Sequence, residues 1–194
     1  MSLVSRETDA LAQYAALVRK WNPAINLVAP STLTDFEHRH VEDCLQVVEL
    51  SAERTGSWLD IGSGGGLPGL IIAIERPDLD VTLIESDRRK ASFLRNAVRE
   101  LGLQNTRILA DRIEDVARLD VANVSARALA PLGLLMAYVS QHLEPSGRAW
   151  LMKGRSWQAE VEEAKKVWAF DLTSHPSRTD PDAAILEISG IHHV

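Results

Sequence analysis

Cysteine is almost missing from this chain. Cys44 stands alone among 194 residues, which excludes an internal disulfide framework and any cysteine-rich zinc site. A reducing cytoplasm is the expected home. Long apolar runs are missing as well. No stretch approaches the ~18 consecutive residues that would cross a bilayer, so no membrane partner is expected. At the N-terminus, Arg6, Glu7 and Asp9 fall where a secretory leader needs an apolar segment. Excess positive charge is also absent: 21 Lys and Arg against 27 Asp and Glu give a formal net charge of −6. That argues against a protein that coats nucleic acid without specificity, while leaving room for an enzyme with a local basic face. No repeat, low-complexity tract or break in composition marks a linker. At 45% hydrophobic and 25% charged residues, the composition is globular rather than disordered.

What is present is a change of pattern near residue 55. Before it the chain reads as helical. Leu11, Tyr14, Ala15 and Val18 make one apolar stripe at helical spacing, and Asn22-Pro23 is expected to end that helix because the residue before proline avoids the helical region. Ser31-Thr32 is expected to cap a second helix running to about Leu50, with Phe36 and Leu45 among its inward residues. After it, short strands are expected at 57–61, 80–84, 106–110, 121–125 and 148–152. Helices lie between them: Ala91, Leu94, Val98 and Leu101 share one face, Leu132, Leu135, Met136 and Val139 another, and Trp157, Val161, Ala164 and Trp168 a third. Such alternation indicates βαβ units and a parallel sheet covered on both sides. Residues 170–173 and 183–189 are expected to close the sheet as an antiparallel edge hairpin. The expected organisation is a helical extension over residues 1–55 packed on an α/β domain over 56–194, together one structural unit.

The richest signal is Asp60-Ile61-Gly62-Ser63-Gly64-Gly65-Gly66-Leu67-Pro68-Gly69. It follows a strand and precedes a helix, where glycines allow a tight turn and a close ligand approach. The next strand ends in Glu85, a carboxylate able to accept from both hydroxyls of a ribose. Gly64-x-Gly66-x-x-Gly69 matches a dinucleotide fingerprint, with Glu85 close to the expected ~20 residues on. The alternative counts Asp60-x-Gly62-x-Gly64-x-Gly66, the pattern of S-adenosylmethionine sites, in which the acid faces the amino end of methionine. Asp60 would set negative charge where a pyrophosphate wants none, and the chain is short for a dehydrogenase, so S-adenosylmethionine is the favoured cofactor. A plain turn with no ligand is disfavoured by the ordering entropy of so many glycines.

Beyond the loop, the chain resembles the small-subunit ribosomal RNA guanine-N7 methyltransferases, the glucose-inhibited division protein B family. The resemblance rests on Trp21-Asn22-x-x-x-Asn26-Leu27, Arg39-His40-x-x-Asp43, Trp58 through Gly69, Arg112-x-Glu114, Arg127-Ala128 and Lys153-Gly154. It covers nearly the whole chain. Cys44 replaces the serine usual after the Arg-His-x-x-Asp motif, and Ala126 separates Ser125 from Arg127. The resemblance implies a Rossmann-like S-adenosylmethionine-dependent methyltransferase fold, a mainly parallel seven-stranded sheet with an N-terminal helical appendage. It implies methyl transfer to N7 of a guanine in the decoding-region loop of 16S ribosomal RNA, within the small ribosomal subunit or an assembly intermediate, by a monomer. Asp60, Gly62, Gly64, Gly66, Leu67 and Glu85 would hold the cofactor, with Ile113 and Glu114 on the adenine and Arg127 at the remaining cofactor position.

The chemistry asks little of the side chains. Guanine N7 carries an in-plane lone pair and no proton, so no general base, nucleophile or metal is expected; alignment at ~3–3.5 Å suffices. The candidate catalytic residues are therefore the strand-end cations Arg112, Arg127 and Lys153, orienting the base through O6, phosphate or ribose because N7 must stay free. Arg39, His40, Arg88, Arg89 and Lys90 are candidate RNA contacts, with Arg95 and Arg99 on the same helix. The plainer reading of the second group is a solvated helix face offset by Asp87 and Glu100. For Arg39-His40-Asp43 it is a polar clasp between the helical extension and the sheet, with His40 and Asp43 three apart and able to touch. Trp21, Trp157 and Trp168 are expected in the core. Two other functions stay open: methylation of a small molecule, and a non-catalytic NAD-binding module.

Overall fold

The computed structural model describes residues 3–194, with side chains from residue 9 onward, so the expectation resting on the side chains of Arg6 and Glu7 lies outside what is described. The chain opens with α1 (Leu3–Ile25), a short 3-10 turn (Pro30–Asp35), a π-helical turn (Glu37–Glu42) and α2 (Asp43–Leu50). Strands and helices then alternate: β1 (Ser57–Ile61), α3 (Gly69–Glu75), β2 (Asp80–Ile84), α4 (Arg88–Leu101), β3 (Thr106–Leu109), β4 (Val121–Arg127), α5 (Leu132–His142), β5 (Leu143–Lys153) and α6 (Trp157–Ala164). β6 (Trp168–Pro176) and β7 (Ala184–His193) finish the fold.

The seven strands form one sheet in the order β3-β2-β1-β4-β5-β7-β6. The first five are parallel, and β7 runs antiparallel to both β5 and β6. The mainly parallel sheet with an antiparallel edge hairpin is thus the observed topology. Strand alternation sends successive side chains to opposite faces, and each face has its own core. On one, Trp58, Leu83 and Trp150 pack under Tyr14 and Val18 of α1, Ile71 of α3 and Phe93 of α4. On the other, Leu59, Val124 and Leu151 pack under Met136 of α5 and Val161 of α6. Helix α4 begins where Asp87 accepts from the N–H groups of Arg89 (2.8 Å) and Lys90 (3.1 Å), and it ends at Gly102 in the left-handed region (φ 67°).

Three local expectations fail for physical reasons. Asn22-Pro23 does not end α1. The proline sits within its last turn, and Asn26 (φ 50°) ends it three residues later, with its N–H on the Asn22 carbonyl (2.9 Å) and the Val28 N–H on Asn22 Oδ1 (2.8 Å). Ser31-Thr32 does not cap one long helix. That region is three short windings of different pitch, and the Thr32 hydroxyl donates back to the Ala29 carbonyl (2.8 Å). Trp168 does not extend the α6 stripe: the helix stops at Ala164, and Trp168 opens β6, still buried but on a strand. Strand β5 also starts five residues earlier than expected, directly after α5.

Candidate functional site

In an open parallel sheet, ligands sit beyond the carboxyl ends of the strands. Here a cavity of about 550 Å³ opens there, within the ~300–1,000 Å³ usual for small-molecule sites. Four of the five parallel strands contribute at that edge. The glycine loop after β1 brings Gly62, Gly64 and Leu67; Glu85 follows β2; Ile113 and Glu114 come after β3; Arg127 ends β4, with Ala128 and Leu129 next. Leu27 and His40 of the helical extension also line it.

Glu85 is buried, and both of its oxygens are anchored. Oε2 accepts from the Gly64 N–H and Oε1 from the Asp87 N–H, each at 2.7 Å. A carboxylate has about four acceptor sites, so each oxygen retains capacity toward the cavity. Gly64 presents its N–H from a left-handed conformation (φ 56°) that a residue with a Cβ adopts only at a cost. The loop is pinned from the other side as well: the buried Tyr14 hydroxyl of α1 donates to the Gly65 carbonyl at 2.7 Å. Helix α1 therefore fixes the backbone of a loop fifty residues away.

Asp60 does not line the cavity, contrary to the expectation that it faces a ligand amino group. It is fully buried beneath the loop. Asp60 and Ser125 are register partners on neighbouring strands. Trp58 Nε1 donates to Ser125 Oγ (2.9 Å), and Ser125 Oγ donates to Asp60 Oδ1 (2.6 Å). Burial raises the Asp60 carboxyl to about 6, with the hydroxyls of Ser125 and Ser63 and the Gly69 N–H pulling it down and Glu85 pushing it up. Its Oδ2 has no hydrogen bond of regular geometry. A Cβ on Gly69 would lie 2.7 Å from that oxygen, so only glycine fits this start of α3. Gly66, like Asp60, shapes the loop without reaching the cavity wall.

A second cavity, about 440 Å³, adjoins the first and shares His40, Arg127, Ala128 and Leu129 with it. Ala128, at the junction, holds φ 51°, a left-handed conformation uncommon outside glycine. Arg127 is mostly buried. It pairs with Asp43 (3.3 Å), donates to the Arg39 carbonyl (3.1 Å) and approaches the Cys44 thiol (3.8 Å). Asp43 in turn accepts from Thr179 (2.7 Å) and Ser177 (3.3 Å) in the β6–β7 loop. The expected clasp between extension and sheet exists, but Asp43 makes it with Arg127 and not with His40. His40 turns instead to Thr32 Oγ1 (2.7 Å). Because the Thr32 proton is committed to Ala29, His40 donates from Nε2 and keeps a bare Nδ1, which is buried without a partner. Burial, then Arg127 and Arg39, lower His40 to about 4, so the ring is neutral at pH 7. Cys44 is fully buried and pushed up to about 12 by that burial, an inert thiol.

The remaining candidates divide. Lys153 lines the second cavity. Arg112 lines the first, is largely exposed and pairs with Glu114 (2.7 Å). Lys90 reaches the first cavity, whereas Arg88 and Arg89 lie exposed at the start of α4, outside both. Arg39 is exposed at the rim of the second cavity. Tyr14, Thr32, Asp43 and Glu160 were not singled out as ligand-site residues by the sequence; only Asp43 carried a signal, as the end of the Arg-His-x-x-Asp motif. Among the described residues, no helix is long and apolar enough to cross a membrane, and no cluster of three or more metal-ligating side chains occurs.

The family model described as rRNA small subunit methyltransferase G (GidB) matches residues 7–182. The ribosomal RNA small subunit methyltransferase G of Paracoccus denitrificans is 63% identical over 190 residues, 98% of each chain. That of Rhodospirillum centenum is 47% identical over 189 residues, 97% of this chain and 87% of the relative. Among solved structures, a point variant of MtNAS in complex with S-adenosylmethionine has a TM-score of 0.65 at 14% identity, covering 96% of this chain and 77% of that one. A SAM-dependent methyltransferase from Aquifex aeolicus has 0.61 at 13%, covering 82% and 93%. At those identities the likeness is one of fold, the Rossmann-like fold of S-adenosylmethionine-dependent methyltransferases.

Proposed function

The chain belongs to the GidB family, rRNA small subunit methyltransferase G, and from that premise we propose that it methylates N7 of a guanine in the decoding-region loop of 16S ribosomal RNA, using S-adenosylmethionine. Family membership sets aside the NAD-binding alternative that the glycine loop alone left open. The observation that carries the proposal is the pair of adjoining cavities: one built around the Gly64–Glu85 cradle, the other opening beside it across Arg127 to Leu129.

The residues of the first cavity suit the cofactor. Glu85 retains acceptors for two ribose hydroxyls. Ile113 and Glu114 offer an apolar wall and an acceptor for adenine. Loop N–H and C=O groups suit the ends of an amino acid. When bound, S-adenosylmethionine supplies a methyl already activated on a sulfonium, which the N7 lone pair takes up as the S–C electron pair returns to sulfur, leaving the positive charge on the base. The chain's work is then positional. Tyr14 and Asp60 hold the loop, Glu85 holds the ribose, and the Arg127–Asp43 pair fixes the wall between cofactor and base. No proton need move. In this proposal one chain acts alone, since both cavities are built within it. Exposed Arg88, Arg89 and Arg39 supply phosphate contacts on a chain whose formal net charge is −6. Affinity for free RNA is low, and the small subunit or an assembly intermediate is the substrate.

The test is to supply labelled S-adenosylmethionine and small subunits lacking the modification, then map the label. One methyl on guanine N7 in the decoding-region loop supports the proposal. Label on another base, or only on small molecules, refutes it.

A further inference from the structure

We propose that the second cavity receives the target guanine as an unstacked base and that Lys153, aimed and neutralised by Glu160, donates a hydrogen bond to its O6; this rests on the guanine-N7 reading above. Lys153 ends β5 with a side chain only 11% exposed. Its Nζ donates to the Ala130 carbonyl (2.9 Å) and to Glu160 Oε2 (2.6 Å). An ammonium has three N–H donors, so one is left over in a poorly hydrated place on the cavity wall, where an unmade bond is expensive.

The charge balance says which acceptor it awaits. The buried cations of this wall are already paired, Lys153 with Glu160 and Arg127 with Asp43. A phosphate would seek unpaired charge, and among the described residues lining this cavity only Arg39, at the rim, offers it. The interior suits a neutral acceptor among the apolar side chains of Leu129, Pro131, Met152 and Ile185. Guanine presents O6 and N7 on one edge. N7 must stay free to react, which leaves O6. Adenine presents an amino donor at the same place and would meet Lys153 donor against donor.

Glu160 has a second task. Methyl transfer leaves the base cationic, and an unpaired ammonium at O6 would oppose that charge. The carboxylate cancels it while leaving the N–H available. Glu160 is held for this: Oε2 also accepts from the Leu132 N–H (2.9 Å) and Oε1 from Ser156 Oγ (2.8 Å). It is a positioning residue, acting through Lys153.

The experiment measures single-turnover methylation at N7 in subunits reconstituted with guanosine or 6-thioguanosine at the target, the sulfur being a poorer acceptor than O6. Wild type should be at least about fivefold slower on the thio-substrate, the low end of a specific base contact. Lys153→Met should be slow on both and equal within twofold. Glu160→Gln, which keeps the shape, should lower the single-turnover rate on the guanosine substrate at least fivefold. For both variants, calorimetric affinity for S-adenosylhomocysteine should stay within twofold of wild type, reporting an intact first cavity. Lack of discrimination by wild type, or full discrimination by Lys153→Met, overturns the assignment to O6; a wild-type single-turnover rate in Glu160→Gln overturns the role of Glu160. If Lys153→Met does not fold, wild-type discrimination and Glu160→Gln still decide. Failure of wild type to methylate guanine N7 at all would instead sink the reading beneath it.

Discussion

Asp60→Asn tests the electrostatics beneath the glycine loop. The side chain is fully buried, and its carboxyl stands near 6 against an ordinary 3.8 because burial penalises the charge more than its hydrogen-bond donors favour it. The folded chain therefore binds this proton more tightly than the unfolded chain does. The associated stability is full below pH ~3.8 and is lost as pH rises through about 6. Two pKa units at 1.36 kcal/mol each make the loss about 3 kcal/mol. Complete burial leaves no solvent screening to discount. Asparagine keeps the shape and can still accept from Ser125, but it does not titrate. Urea unfolding of both proteins from pH 4 to pH 7.5 should show the stability difference moving by about 2 kcal/mol in favour of the variant, because part of the loss falls below pH 4. Other groups cancel in that difference. Parallel stability curves would refute the reasoning.

Three further outcomes follow from the same loop. Tyr14→Phe strips the donor from the buried Gly65 carbonyl and should cost about 1–3 kcal/mol in urea unfolding; S-adenosylhomocysteine affinity should weaken several-fold, although Tyr14 does not line the cavity. Gly69→Ala places a Cβ against the Asp60 carboxylate, and the forced shift should lower stability by about 1–3 kcal/mol, with cofactor affinity falling in calorimetry. Glu85→Gln turns an amide donor toward a backbone N–H that now donates to Glu85, and calorimetry should find S-adenosylhomocysteine bound about tenfold more weakly or worse. An unchanged dissociation constant would remove Glu85 from the cofactor site.

Local chemistry made parts of this structure readable from sequence. Strand β1, the glycine loop and Glu85 announce themselves because a short apolar strand, a run of glycines and a following acid each have short-range causes. The burial of Asp60 is not legible in the sequence, because spacing places an acid at a strand end without saying which face it takes. Asp60 shares its face with Trp58, two residues back, and therefore lies in the core under α1 and α3. His40 and Asp43 fail to meet because Glu37–Glu42 is π-helical, so residues three apart no longer share a face as they do in an α-helix. The Tyr14–Gly65, Arg127–Asp43 and Lys153–Glu160 contacts join distinct elements and leave no local pattern. Arg127 and Lys153 were visible as strand-end cations; the carboxylates that neutralise them were visible only in three dimensions.

In the proposed function, cofactor and base occupy neighbouring cavities that share the wall from Arg127 to Leu129. A crystal structure of the chain with S-adenosylhomocysteine and an RNA fragment carrying the target guanine tests it most directly. The adenosine should lie between Glu85 and Ile113–Glu114, with the guanine beside Lys153 and its N7 facing the sulfur. S-adenosylhomocysteine spanning the Lys153 cavity, or a guanine seated outside it, would refute this placement.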